Sequence, residues 1–295
     1  MSKCEPSCKG GTPRQPLRSL IEKTGQANHR IWGRTKVIFK NTMKQALKEG
    51  KVVFGPMVSE IRSPGIALLF AQAGFDFFFI DMEHSCFTME TLSDMILAAR
   101  AANIPTVVRP SSRKSHEYLS RPLDIGASGL LVPQIQTRED AENVVRWCRY
   151  YPVGERGMAL SRQHTFFESG VTAETMRQLN DEVFIALQIE HRDAIENLSD
   201  ILSVPGIDAA FVGPEDLAAS LGKPGQTSHP DFEKAVLHVI EVSRDRGIIP
   251  GIHTGSVEKA RYWKEKGMKF IGYGTDIKLI LQASKSAVKE LRSLA

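Results

Sequence analysis

The chain has 295 residues, 42% hydrophobic and 24% charged, with 23 glycines, 15 prolines and 4 cysteines. This is ordinary globular usage; it excludes collagen-like and disordered chains, and at about 150 residues per domain the length allows one large domain or two small ones. The formal charge of +4 is uneven: residues 1–51 hold 12 Lys+Arg against 3 Asp+Glu, and the remainder 26 against 31, so the basic excess belongs to the first segment. No run approaches the roughly 18 apolar residues of a membrane span, and no apolar secretory stretch opens the chain, so a soluble, cytoplasmic protein without a membrane partner is expected. Cys4, Cys8, Cys86 and Cys148 are too scattered for a disulfide framework and lack zinc-ligand spacing, which fits a reducing compartment.

Residues 1–42 mix Ser, Lys, Gly, Pro and Arg with little periodicity and are expected to form a flexible basic extension. Scarce acids leave organelle targeting open, although Cys4, Glu5 and the Gly10-Gly11 pair do not make an amphipathic helix. Without an aromatic platform or recognition helix, nucleic acid is not an expected partner.

Residues 43–295 form a single domain in this reading. From Val52 onward, short apolar runs alternate with longer amphipathic ones, the pattern of parallel strands joined by crossover helices. The runs at 52–58, 75–81, 106–109, 129–132, 183–189, 208–212, 249–253 and 270–273 are the predicted strands. Helical patterns lie near 63–73, 89–102, 115–125, 138–148, 193–202, 230–246, 256–266 and 277–294. Eight such units match the α/β class and the size of a (β/α)₈ barrel. A doubly wound open sheet is disfavoured, because no glycine fingerprint follows a first strand. Residues 149–182 exceed what the repeat needs, and a segment of that length is expected to cover the barrel mouth.

Barrel active sites form at the carboxyl ends of the strands. Those ends carry Asp81, Glu83 and His84; Arg109; Gln134; Gln188 and Glu190; Glu215 and Asp216; His253 and Thr254; and Asp276. Charge placed directly after buried apolar runs is costly unless paired or metal-bound, so the concentration calls for a function. Glu190 and Asp216 end neighbouring strands, and two carboxylates with open remaining positions suit Mg²⁺ or Mn²⁺ better than zinc. Arg109 can hold an oxyanion through parallel hydrogen bonds, with an ion pair to Asp81 or Glu83 as the alternative use. Asp81 stands three residues before His84 and is expected to orient its imidazole for proton transfer. No lysine stands at a strand end, so metal-stabilised enolate chemistry is favoured over imine chemistry.

Several stretches, in this order, resemble the HpcH/HpaI aldolase family. They are Gly74-Phe-Asp-Phe-Phe-Phe-Ile-Asp-Met-Glu-His84, Val107-Val-Arg-Pro110, Leu123-Asp-Ile-Gly-Ala127, Tyr151-Pro-Val-Gly-Glu-Arg-Gly157, Gln188-Ile-Glu190, Gly206-Ile-Asp208 and Phe211-Val-Gly-Pro-Glu-Asp-Leu217. The resemblance implies a metal-dependent class II aldolase that interconverts a 4-hydroxy-2-oxo acid with pyruvate and an aldehyde. It also implies a barrel whose last helix is exchanged between subunits of a homo-oligomer, commonly a hexamer built from dimers. Position by position, Glu190 and Asp216 match the metal ligands (Mg²⁺, or Mn²⁺ or Co²⁺), and Arg109 the enolate-stabilising arginine. Asp81 and His84 match the acid–base dyad, Gln188 a substrate-contacting glutamine, and Asp124 an acid that serves a neighbouring subunit's site. Backbone N–H groups near Glu215 and Asp216 are expected to assist substrate binding. Met158 to Gln163 and the Arg109-to-Asp124 interval depart from the family pattern, leaving the aldehyde open. An oxaloacetate decarboxylase or decarboxylating synthase would use the same enolate site, and a non-catalytic binding or scaffold protein is the alternative of another class.

Overall fold

The computed structural model describes residues 38–168 and 173–294, so most of the 1–42 extension lies outside the described residues. Eight parallel strands close into a barrel in sequence order. They are β1 (Val53–Val58), β2 (Phe78–Asp81), β3 (Thr106–Arg109), β4 (Gly129–Val132), β5 (Phe184–Ile189), β6 (Ala209–Val212), β7 (Ile249–Thr254) and β8 (Phe270–Thr275). The described helices, in chain order, are α1 (Thr42–Lys48), α2 (Gly65–Ala73), α3 (Met89–Ala101), α4 (His116–Ile125), α5 (Arg138–Cys148) and α6 (Ala173–Glu182). After β5 come α7 (Arg192–Glu196), α8 (Leu198–Ile201), α9 (Pro214–Ser220), α10 (Pro230–Asp245), α11 (Val257–Lys266) and α12 (Asp276–Arg292). No described helix is long and apolar enough to cross a membrane.

Alternation along the strands sorts the side chains. Outward residues such as Ile80, Val108, Leu187 and Val212 join the layer beneath the helices. Inward ones fill the barrel, where Phe77, Phe79, Phe184, Phe211 and Phe270 pack with neighbouring ring centroids 4.8–5.4 Å apart. One step further along the same inward rows stand Asp81, Arg109, Gln188 and His253, which is how an apolar plug comes to carry a polar floor.

The helices start where capping chemistry allows. Thr88, Thr137, Ser256 and Thr275 each accept a hydrogen bond from a first-turn N–H, and Thr137 forms a full capping box with Asp140. The single helix expected at 193–202 is divided at Asn197 into α7 and α8. Helices α1, α6 and α9 were absent from the sequence expectation.

The described residues of the segment at 149–182 pack at the end of the barrel opposite the mouth they were expected to cover. Arg149 donates to the carbonyls of Val183 and Gly206 and pairs with Asp208 at 3.0 Å, all at the amino ends of β5 and β6. Tyr150, Leu160 and Leu179 pack there with Ile38. Chain leaving α5 is already at that end, because crossover helices run antiparallel to the strands, and its arginine finds buried carbonyls close by.

Candidate active site

Asp81 and Arg109 are direct partners in the β2–β3 ladder. Arg109 donates from Nε to Asp81 Oδ1 at 2.9 Å and from Nη2 to Oδ2 at 2.7 Å, and its Nε lies 3.4 Å from Glu83 Oε2. Arg109 is 9% exposed and Asp81 2%, so this bidentate pair is held in a low-dielectric setting. Burial works against the guanidinium charge, but the Asp81 hydrogen bonds and the charges of Asp81, Glu83 and Glu190 outweigh it and raise the pKa of Arg109. Its Nη1 bonds to no described residue and is left to the cavity.

The same contacts correct one expectation. Asp81 does not hydrogen-bond to the His84 imidazole; Oδ1 accepts instead from the backbone N–H groups of Glu83 (3.0 Å) and His84 (3.4 Å). The imidazole is exposed, with Nε2 3.7 Å from Glu83 Oε2, so Glu83 is its neighbouring acid. Ladder register places the guanidinium directly beside Asp81, and a charged partner in that position outcompetes a solvated ring.

Glu190, just past β5, is 3% exposed. Oε1 accepts from the backbone N–H of Gln134 at 2.7 Å, and Oε2 from Gln188 Nε2. Gln134 reaches Oε1 at φ +62°, a left-handed conformation costly for a residue other than glycine. Burial raises the pKa of Glu190 against these hydrogen bonds, and the charges of Glu83 and Asp216 push the same way. Glu83 is likewise raised, first by burial, with Arg109 and His84 opposing and Asp81 and Asp216 reinforcing. Three acids therefore act on one another here.

Gly213 keeps space beside this group: a Cβ there would lie 2.7 Å from Glu190 Oε2 and 3.1 Å from Gln188 Nε2. Asp216 and Glu215 are exposed on the first turn of α9, where Pro214 occupies the position that needs no N–H and the amides of Glu215 and Asp216 have no backbone acceptor. A cavity of about 640 Å³ runs from Arg109, Gln188 and Asp216 past His253 to Lys259 and Lys278. Hard carboxylate oxygens, mutually destabilising negative charge and the cavity wall formed by Gln188, Gly213 and Asp216 fit a divalent cation. Among the described residues no set of three or more His, Cys, Asp or Glu side chains could hold a metal, so an ion at Glu190 and Asp216 would complete its shell from water or substrate.

Asp124 is elsewhere. It ends α4 at the amino side of the barrel, where its Oδ1 accepts from Arg156 Nη2 at 2.6 Å and its carbonyl lies 3.0 Å from His164 Nδ1. Glu83, Gln134 and His253 were legible as strand-end residues, but sequence reasoning gave them no part in the site. The Asp-x-Glu-His run was a usable signal for Glu83; nothing local marks the other two.

Buried acids opposite an immobilised guanidinium, at the carboxyl end of a (β/α)₈ barrel, are the equipment of an enzyme that stabilises an oxyanion on a small oxygen-rich substrate. The family model described as HpcH/HpaI aldolase/citrate lyase matches residues 57–283. The hydroxypyruvate/pyruvate aldolase of Roseobacter denitrificans is 34% identical over 251 residues, covering 83% of this chain and 95% of its own length. The 4-hydroxy-2-oxo-heptane-1,7-dioate aldolase of Escherichia coli is 34% identical over 249 residues, covering 84% and 93%. The crystal structure of an HpcH/HpaI aldolase from Desulfitobacterium hafniense matches with a TM-score of 0.81 at 33% identity, over 85% of this chain and 97% of that one. The chain belongs to the HpcH/HpaI aldolase/citrate lyase family, and it is a carbon–carbon lyase of the aldolase type.

Proposed function

We propose that this aldolase cleaves a 4-hydroxy-2-oxo acid reversibly into pyruvate and an aldehyde, using a divalent cation, Mg²⁺ above Mn²⁺ or Co²⁺, held by Glu190 and Asp216. The carrying observation is the buried Asp81–Arg109 pair with Glu83 beside it, opening on a cavity that Gln188, the partner of Glu190, and Asp216 also line. When bound, the cation supplies Lewis-acid polarisation of the keto group.

The side chains do the rest. The free amides of Glu215 and Asp216 receive the substrate carboxylate, and Gln188 orients the 2-oxo acid while bracing Glu190. Asp81 is a positioning residue: it holds the guanidinium of Arg109 so that Nη1 donates to the oxygen that gains charge as the C3–C4 bond breaks. His84, with Glu83 beside it, takes the proton of the 4-hydroxyl during cleavage and returns it during addition.

A homo-oligomer, a hexamer or trimer of dimers, completes the proposal. In α12 only Asp276 is buried, while Ile277, Ile280, Leu281, Val288 and Leu291 are exposed along one stripe, as are Leu68 and Leu69 on α2. Exchange of α12 between subunits would cover both, and Asp124 would then serve a neighbour's site. The unpaired Cys86 and Cys148 suit a reducing cytoplasm.

The test is exchange of the pyruvate methyl protons with deuterated water, followed by NMR, together with cleavage of 4-hydroxy-2-oxo acids. Both should stop in excess chelator and return with Mg²⁺ or Mn²⁺, and Arg109→Ala should lower turnover about 10²–10³-fold. Full activity in chelator, or no exchange in any metal, would overturn the proposal.

A further inference from the structure

His253 is the last inward-facing residue of β7 and stands opposite Gly272 of β8 in the ladder. Its ring occupies the space that a side chain at 272 would take, since a Cβ there would lie 2.6 Å from its Cδ2. His253 Nε2 lies 3.1 Å from the carbonyl oxygen of Gly274, which sits at φ +63°. A carbonyl can only accept, so Nε2 carries the proton and Nδ1 presents a lone pair. Among the described residues nothing donates to Nδ1, and it is not among the buried atoms sealed off without a partner. The ring lines the same cavity as Arg109, Gln188, Met57 and Phe211.

Three other uses of this imidazole fail on the same surroundings. Burial, with Arg109 and Lys278 nearby, lowers its pKa to about 4 against the Gly274 hydrogen bond, which makes it a weak proton acceptor. The same two cations disfavour a metal ion at Nδ1. A packing role alone needs no ring nitrogen opening into the substrate cavity. What remains is a fixed neutral acceptor on a cavity wall whose nearby charges, Arg109 and Lys278, are both cationic. Hydroxyl groups are the donors that such an acceptor rewards, and an alkyl group in the same place leaves it unpaired.

We propose that His253 is a specificity-determining residue whose Nδ1 accepts a hydrogen bond from a substrate hydroxyl, so that the enzyme prefers hydroxylated reactants to alkyl reactants of equal size. The inference rests on the aldolase reading above and names the substrate class within it. The hydroxyl could belong to the 2-oxo acid or to the aldehyde, and two arms separate these sources.

One arm compares hydroxypyruvate with 2-oxobutanoate as the 2-oxo acid, and the other glycolaldehyde with propanal as the aldehyde. In each pair a hydroxyl replaces a methyl. The wild-type holoenzyme should favour the hydroxylated member by about tenfold or more in kcat/KM in at least one arm. His253→Gln keeps a donor near Nε2 but removes the acceptor at Nδ1, and should bring that ratio near unity. His253→Asn keeps an acceptor near Nδ1 and should restore much of it. Nitrogen NMR of the histidine-labelled wild-type protein gives a readout that needs no variant to fold: the Nδ1 resonance should shift with the hydroxylated reactant and not with its alkyl counterpart. Wild-type ratios near unity in both arms, an unchanged ratio in H253Q, or an Nδ1 resonance that ignores the hydroxyl overturns the assignment. Failure of wild-type pyruvate to exchange its methyl protons instead removes the underlying aldolase reading, so the two failures are distinguishable.

Discussion

Replacing Asp81 with asparagine probes the buried pair with little change of shape. Asparagine keeps one acceptor oxygen but turns an NH₂ toward a guanidinium that in the wild type donates two charge-assisted hydrogen bonds, at 2.9 and 2.7 Å, to the carboxylate. With Arg109 9% exposed, water cannot replace what is lost, and Glu83, 3.4 Å from Nε, is the remaining nearby carboxylate. Removing one partner of a buried pair costs about 3–5 kcal/mol, and Glu83 recovers part of it, so we expect a loss of about 3 kcal/mol. For a domain of this size that lowers Tm by roughly 6–12 °C. Turnover should fall about 10²-fold as well, because Nη1 is no longer aimed. Urea and thermal unfolding of Asp81→Asn, Arg109→Met and the double variant complete the cycle. The double variant should be more stable than Asp81→Asn alone, since it leaves no lone buried cation. Asp81→Asn within about 0.5 kcal/mol of wild type and with undiminished turnover would refute the reasoning.

Gly213→Ala places a methyl 2.7 Å from Glu190 Oε2; Mn²⁺ affinity by calorimetry and turnover should both fall, the latter about 10²-fold, and unaltered binding would show that the space is not needed. In chelator, Glu190→Gln should stabilise the protein by about 0.5–2 kcal/mol at neutral pH while abolishing activity, because burial and the charges of Glu83 and Asp216 disfavour the ionised carboxylate; thermal unfolding checks the sign. His164, whose Nε2 lies 3.2 Å from the Tyr150 hydroxyl, has its pKa lowered by burial to about 4 from 6.5. Between those values the unfolded chain takes up a proton that the folded one refuses, so stability should fall on acidification through that window. His164→Gln should flatten that slope in urea titrations run at both ends of the window.

Strands were readable because short apolar runs recur with crossover helices between them, and six of the eight expected carboxyl ends fell on the observed ones. The strand at 270–273 continues to Thr275 because Gly274 lets the ladder proceed, and β7 runs one residue past its expected end. Helix α9 was hidden by its brevity and α6 by its place within an irregular segment. The Asp81–His84 expectation failed because sequence proximity says nothing about ladder register, and register set Arg109 beside Asp81. Gln134 matters through a backbone N–H, and no side-chain pattern reports that. His253 acquires its tautomer from a carbonyl 21 positions later in the chain, again outside any local window.

The ring-filled interior makes the barrel a blind shaft. Phe79, Phe211 and Phe270 close it beneath Arg109, and among the described residues no rear exit opens. Whatever settles against Gln188 therefore comes and goes through the mouth at the carboxyl ends of the strands. The stoppered architecture thus gives entry and departure a single shared doorway.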